Sequence, residues 1–306
     1  MNTLTLTSSQ QFGPIVGMVV NSVDSEHSQR AYEKALTDFL SWYAQQGHPG
    51  LKKAVVQAYK RKLRGDGLAP ATVNQRLCAI RKLATEASDN GMMKPHLAQG
   101  IQRVKGIKTA GVRVGNWLTV EQAQQLLGAP NVKTAKGLRD RAVLAVLLGA
   151  GLRRAECTRL TFDQIQLREA RWVLVDLIGK GNRVRSVPLP SWAKVAIDTW
   201  AARARISQGL VFRSMRKGDR VNRDAAMTPG AIWSVVRTYA EAVGLGEIAP
   251  HDLRRTYAKL AHKGGAELEQ ISLSLGHASL QTTQKYLGLE QDLTDAPCDR
   301  LGLRLE

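Results

Sequence analysis

Apolar residues recur every three to four positions along much of the chain, the period of helices that bury one face. After Ser28, Ala31, Ala35, Leu36, Phe39, Leu40 and Tyr43 fall in phase, and Leu51–Leu63 and Ala71–Ala87 repeat the pattern. This spacing predicts a small helical bundle. Further on, Leu118-Thr-Val-Glu-Gln sets Thr119 and Gln122 in capping-box register, opening a helix through Leu127, and a more apolar helix is expected over Leu138–Leu148. The pattern then changes: Arg171–Ile178 and Arg183–Leu189 read as strands joined by Gly179-Lys-Gly-Asn182, a turn of residues that tolerate positive φ. Pro188 and Pro190 end the second strand. The remainder reads as helical, over Trp192–Arg205, Pro229–Val243, Leu253–Lys263, Leu268–Leu275 and Leu280–Leu287. The fold class expected is mainly α with a small β-sheet or hairpin (α+β).

The stretch Gly100 to Gly115 mixes basic residues with glycine and has no sustained period, so it reads as a linker. The chain then divides into a loose arm over 1–21, a helical domain over 22–105, a linker over 106–116 and a second domain over 117–306. The opening MNTLTLTSSQQFGPIVG has no early Lys or Arg and no apolar core, unlike a secretory signal. Ala142–Leu152, fenced by Arg141 and Arg153, is shorter than the roughly 20 residues of a membrane span and reads as a buried helix.

With 306 residues and 43% hydrophobic content, the chain can build two cores, which excludes a disordered basic tail. Charge sharpens the picture. Forty-four Lys and Arg against 26 Asp and Glu leave +18, with 15 basic against 7 acidic residues up to position 110 and 29 against 19 beyond it. Both halves are basic, so the natural partner is a polyanion. Lys52, Lys53, Lys60, Arg61, Lys62, Arg64, Arg76, Arg81 and Lys82 on the polar faces of the first bundle are candidate phosphate contacts, as are Arg183 and Arg185 of the hairpin. Cys78, Cys157 and Cys298 are odd in number and lack the spacing of a zinc or disulfide framework, and a reducing cytoplasm is the simplest setting.

Several polar residues fall where chain punctuation places them at element ends: Arg153 after Gly149-Ala-Gly151, Lys180 at the hairpin tip, and His251 ahead of Arg254. Glu156 lies one helical turn from Arg153 and can orient its guanidinium. His277 follows Gly276, and Tyr286 comes nine residues later. This set suits metal-free transesterification at a phosphodiester. Guanidiniums stabilise the charge on the non-bridging oxygens, a phenol attacks, a histidine moves its proton, and an ammonium protonates the departing oxygen. No metal and no nucleotide cofactor is required.

The motifs Gly151-Leu-Arg-Arg-Ala-Glu156, Gly179-Lys-Gly-Asn-Arg-Val-Arg-Ser-Val-Pro-Leu189, His251-Asp-Leu-Arg-Arg-Thr256 and Leu275-Gly-His-Ala-Ser-Leu-Gln-Thr-Thr-Gln-Lys-Tyr286 resemble those of the tyrosine recombinases, the phage-type integrases. The likeness covers Trp117 to Leu289, and the first domain is similar to the family's helical SAM-like core-binding module. The resemblance implies that Arg153 and Arg254 hold the scissile phosphate, Lys180 is the general acid, His251 assists proton transfer, His277 hydrogen-bonds the phosphate, and Tyr286 is the nucleophile, with Glu156 in support. It further implies double-stranded DNA recombination sites as partners and a homo-tetramer on DNA. A monomer in solution and an accessory DNA-bending or directionality protein stay open. Arg255 stands where the family often has histidine. Two alternatives remain: a topoisomerase of the same chemistry, and a non-enzymatic regulator using Leu268–Tyr286 as a helix-turn-helix. A zinc enzyme is disfavoured, since no two histidines share ligand-type helical spacing.

Overall fold

The computed structural model describes residues 12–47, 50–108, 116–179 and 181–288. Two compact units divide the chain, Met1–Gly111 and Val112–Glu306.

Among the described residues, the first unit is five helices: α1 (Phe12–Asn21), α2 (Glu26–Ala44), α3 (Lys53–Gly65), α4 (Pro70–Asp89) and α5 (Pro95–Gln102). Leu36, Phe39, Leu40 and Tyr43 of α2, Val56 and Tyr59 of α3, and Leu77, Ile80 and Leu83 of α4 form its core. Pro70 and Pro95 open their helices at positions where no backbone donor is needed. One expectation is corrected here. Residues 12–21 belong to a helix whose Ile15, Val16 and Val19 are buried in the core, so the reading of 1–21 as a loose arm fails for that part. Residues 1–11 lie outside the described residues. The apolar phase of α1 covers little more than one turn, too short to register against its flanking Gly and Pro. The linker stretch also begins later than Gly100, because α5 continues to Gln102 and Ile101 and Val104 are buried. Beyond α5 the chain is strapped to the bundle by side chains: Asn74 exchanges hydrogen bonds of 2.9 and 2.7 Å with the carbonyl and amide of Ile107.

The second unit contains α6 (Val120–Gly128), α7 (Ala135–Gly149), α8 (Arg154–Arg159), β1 (Ile165–Arg168), β2 (Arg171–Ile178), β3 (Val184–Pro188) and α9 (Ser191–Ala204). β4 (Arg213–Arg216), β5 (Arg220–Ala226), α10 (Pro229–Ala242), α11 (Pro250–Lys263), α12 (Leu268–Leu275) and α13 (Leu280–Leu287) follow. α7 is buried on nearly every side and packs against α6, α9 and α11. Its second half, Ala142–Leu148, is apolar all round, and such a segment belongs at the centre of a core. The Thr119 capping box is formed as its spacing predicts, with Gln122 N–H donating to Thr119 Oγ1 at 3.3 Å and Thr119 N–H to Gln122 Oε1 at 2.9 Å.

β1, β2 and β3 form an antiparallel sheet in that order, with Ile165 opposite Leu174 and Leu174 opposite Val187. The register shifts between Leu174 and Leu177, where Asp176 takes a φ of 54°, and such a bulge bends the strand. β1 was not expected, nor was the antiparallel pair β4 and β5, which falls between two of the expected helices. No apolar alternation marks this second hairpin. Polar contacts tie it down beside Met215 and Val221, which pack on the core: Arg139 donates to the carbonyl of Arg213 at 3.1 Å, and Asp219 in its turn accepts from the first amides of α7 at 2.7 and 2.8 Å. A carboxylate there meets both the orphan donors and the positive end of the helix.

Candidate active site

Two left-handed glycines set the frame. Gly151, φ +59°, turns the chain from α7 into α8, and a Cβ there would sit 2.6 Å from the Tyr257 ring. No other residue fits without displacing that ring. The turn leaves Arg153 at the N-cap of α8 and the Gly151 carbonyl free to accept from Arg254 Nη1 at 2.6 Å. Gly276, φ +60°, ends α12, and its missing Cβ leaves room for the Arg185 side chain, which would lie 2.9 Å away.

The last carbonyls of α12 have no partner within the helix, and arginines take them. Leu275 O accepts from Arg254 Nη2 and, at 3.3 Å, from Arg153 Nη2; Ser274 O accepts from Arg185 Nε at 2.8 Å. Three cations thus gather at the negative end of one helix dipole. Their mutual repulsion is offset by Glu156. It accepts from Arg185 Nη1 and Nη2 at 2.8 Å each, from Arg153 Nη1 at 2.7 Å and from the Arg153 amide at 2.8 Å. Burial pushes the Glu156 carboxyl up, but the Arg185 and Arg153 hydrogen bonds outweigh it and hold the group at about 2. Arg254, only 2% exposed, is lowered by burial and by Arg153 to about 10 and stays charged at neutral pH.

Beside this frame, Tyr286 donates to the His251 carbonyl at 3.3 Å, and its ring meets the His251 and His277 rings edge-on at centroid distances of 5.4 and 5.3 Å. Arg255 lies over the same ring at 5.1 Å, a contact its neighbourhood in sequence does not announce. Burial raises the phenol, while Arg254 and Arg255 pull against it. Burial lowers both imidazoles, assisted by Arg255 and Arg254 at His251 and by Arg254 and Arg153 at His277, which is held at about 4. Both rings are therefore neutral at pH 7. Thr283, fully buried, meets His277 Nδ1 at 2.9 Å. Sequence reasoning missed it, since a threonine six residues from a histidine carries no signal of its own.

Arg153, Glu156, His251, Arg254, His277 and Tyr286 are thus brought together, and Lys180 lies outside the described residues. The phosphate-contact candidates divide. Lys52, Lys53, Arg61 and Arg64 are exposed and have no ion pair among the described residues. Arg76 pairs with Asp38 at 2.9 Å, Lys82 with Glu86 at 2.8 Å, and Lys62 with Asp66. Lys60 donates to the Lys105 carbonyl at 2.7 Å and Arg81 to that of Val104, so both help strap the segment after α5. Arg183 is exposed. Arg185 departs most from its expected DNA-facing place: its side chain is 8% exposed and its guanidinium is committed to Glu156 and Ser274. Position in a basic hairpin could not reveal which of its arginines turns inward. Among the described residues there is no group of three or more His, Cys, Asp or Glu able to hold a metal ion, and no helix is long and apolar enough to cross a membrane.

Residues 116–292 match the Phage integrase family, and residues 19–91 match the Phage integrase, N-terminal SAM-like domain. The chain is 31% identical over 269 residues to tyrosine recombinase XerC of Thermodesulfovibrio yellowstonii, covering 86% of each chain. It is 29% identical over 266 residues to tyrosine recombinase XerD of Lacticaseibacillus casei, covering 86% of this chain and 87% of the other. Its fold is similar to that of XerH site-specific recombinase bound to palindromic difH substrate, with TM-score 0.73 and 18% identity over 92% of this chain and 81% of the other. A lambda integrase dimer bound to a COC' core site is similar at TM-score 0.69 and 14% identity, over 94% and 98%. A family match spanning more than half of the chain, joined to a relative this similar over most of both lengths, places the protein: it belongs to the phage integrase family and is a tyrosine site-specific recombinase acting on DNA.

Proposed function

We propose that Tyr286 is the nucleophile and that strand cleavage runs through a 3'-phosphotyrosyl ester. The phenolic oxygen forms a bond to phosphorus as the bond to the 5' oxygen breaks. Its proton passes toward His251, neutral at pH 7, and Lys180 protonates the departing 5' oxygen. Arg153 and Arg254 bind the non-bridging oxygens with N–H groups not committed to Leu275 O, and His277 donates a further hydrogen bond. Glu156 orients Arg153. The ester conserves the bond energy, so rejoining needs neither metal nor nucleotide.

The observation that supports this most is the meeting of two guanidiniums from α8 and α11 at one carbonyl, with a phenol between two imidazoles in their field. DNA recombination sites are the substrates proposed here, as for the relatives, with two bound dimers joining into a tetramer when two sites recombine. Lys52, Lys53, Arg61, Arg64 and Arg183 supply phosphate contacts. The setting proposed is the bacterial cytoplasm.

The test is a nicked suicide substrate carrying the cognate site, resolved on a denaturing gel. Wild-type protein accumulates a covalent complex on the 3' side, and Tyr286→Phe binds the same DNA but forms none. Covalent complex from Tyr286→Phe, or attachment to the 5' end, defeats the mechanism. Relaxation of supercoiled DNA lacking the site would favour the topoisomerase reading over recombination.

A further inference from the structure

Thr283 sits on α13 with no exposed surface, and its hydroxyl has one hydrogen-bond partner among the described residues, His277 Nδ1 at 2.9 Å. A helical threonine commonly turns its hydroxyl back to the carbonyl four residues earlier, but no such bond is present here. Two proton arrangements fit the distance. If Nδ1–H donates to Oγ1, the threonine proton is buried without an acceptor. If Oγ1–H donates to Nδ1, the buried hydroxyl proton is used and the unpartnered hydrogen moves to Nε2, which is not buried. The second avoids the costlier defect, an unmet donor away from water. It also leaves the imidazole with its hydrogen on Nε2, for which no partner exists among the described residues, on a ring edge-on to Tyr286.

We infer that Thr283 is a positioning residue that fixes the Nε2–H tautomer of His277, so that this histidine works as a hydrogen-bond donor to the phosphate. The inference rests on the placement of His277 at the phosphate made above. The nearby charges of Arg254, Arg153 and Arg185 agree with it, because with burial they keep the ring from taking a second proton. A donor whose hydrogen is set before substrate arrives spends no time in the wrong tautomer, the same logic by which a third group orients the base of a catalytic triad.

The test is a long-range proton–nitrogen correlation spectrum of the full chain labelled with 15N-histidine, the His277 signals assigned by their loss in His277→Gln. Wild type is expected to show Nε2 protonated and Nδ1 unprotonated. In Thr283→Val, close in shape but without the hydroxyl, this pattern gives way to a tautomer mixture. Covalent-complex formation is expected to fall by about tenfold to a hundredfold, by analogy with removal of the partner that orients a metal-bound imidazole, while noncovalent DNA affinity stays within about twofold. Thr283→Ser restores both the spectrum and the rate. Nδ1 protonated in wild type overturns the inference, as does a Thr283→Val protein with unchanged tautomer and rate. Because the wild-type tautomer is read without Thr283→Val, the inference stays open to refutation if that variant is unstable. Failure of the functional reading shows separately, as covalent complex formed by Tyr286→Phe.

Discussion

The site has two sides held in opposite ways. On one, Glu156 and the carbonyls of Gly151, Ser274 and Leu275 engage Arg153, Arg185 and Arg254 through a dense set of charge-assisted bonds, most under 3 Å. On the other, the Tyr286 hydroxyl has one longer bond, 3.3 Å, to a backbone carbonyl, and ring edges do the rest. Preorganised charge lowers a barrier only if it need not be rearranged during the reaction, whereas a nucleophile must travel toward phosphorus. The rigid side supplies the field and the lightly held side supplies the motion.

Breaking the rigid side gives the largest expected effect. Glu156→Gln leaves Arg185 and Arg153 without their countercharge, and removing one member of a buried pair costs about 3–5 kcal/mol. Urea unfolding should register that loss, and suicide-substrate cleavage should fall with it. An unchanged midpoint would mean that the carboxylate does not organise the arginines. The next effect is in pH. Glu156 titrates at about 2 when folded, below its ordinary value near 4.5, so its stabilisation is complete above 4.5 and disappears as pH falls toward 2. The difference is worth about 3 kcal/mol. His277 acts in a higher window. Its folded value of about 4 lies below the usual 6.5, so the unfolded chain binds the proton first and stability declines as pH drops from 6.5 to 4. Comparing unfolding of wild type and His277→Gln across that interval should show a shallower decline in the variant.

The smallest effects separate free from committed cations in the first unit. Arg61→Ala and Arg64→Ala should each flatten the log–log salt dependence of DNA affinity by about 0.9, the value per phosphate contact. Arg81→Ala should leave that slope unchanged and lower thermal stability instead, because its donor holds the Val104 carbonyl. A steeper slope change for Arg81 than for Arg61 would reverse the assignment.

Legibility in the sequence followed how locally each feature is determined. Gly151 and Gly276 are visible because a positive φ at a helix end has few residues to choose from, and the polar residues they punctuate were found with them. The amphipathic helices of the first unit were readable for the same reason, their phase being written over several turns. Arg185 was misplaced because its direction depends on Glu156, 29 residues away, and on the end of α12. Thr283 was passed over because its importance lies in burial, which no short window states. The β4–β5 hairpin escaped because it has no apolar alternation and the polar contacts that help hold it, from Arg139 and from Asp219 to α7, are distant in sequence.

Two of the groups that anchor Arg254 belong to the main chain, the carbonyls of Gly151 and Leu275. No codon change can delete them, since every amino acid brings the same oxygen. Drift at positions 151 and 275 can misplace these acceptors only by altering the path of the peptide itself, so inheritance can lose this seat by bending the thread and not by recolouring its beads.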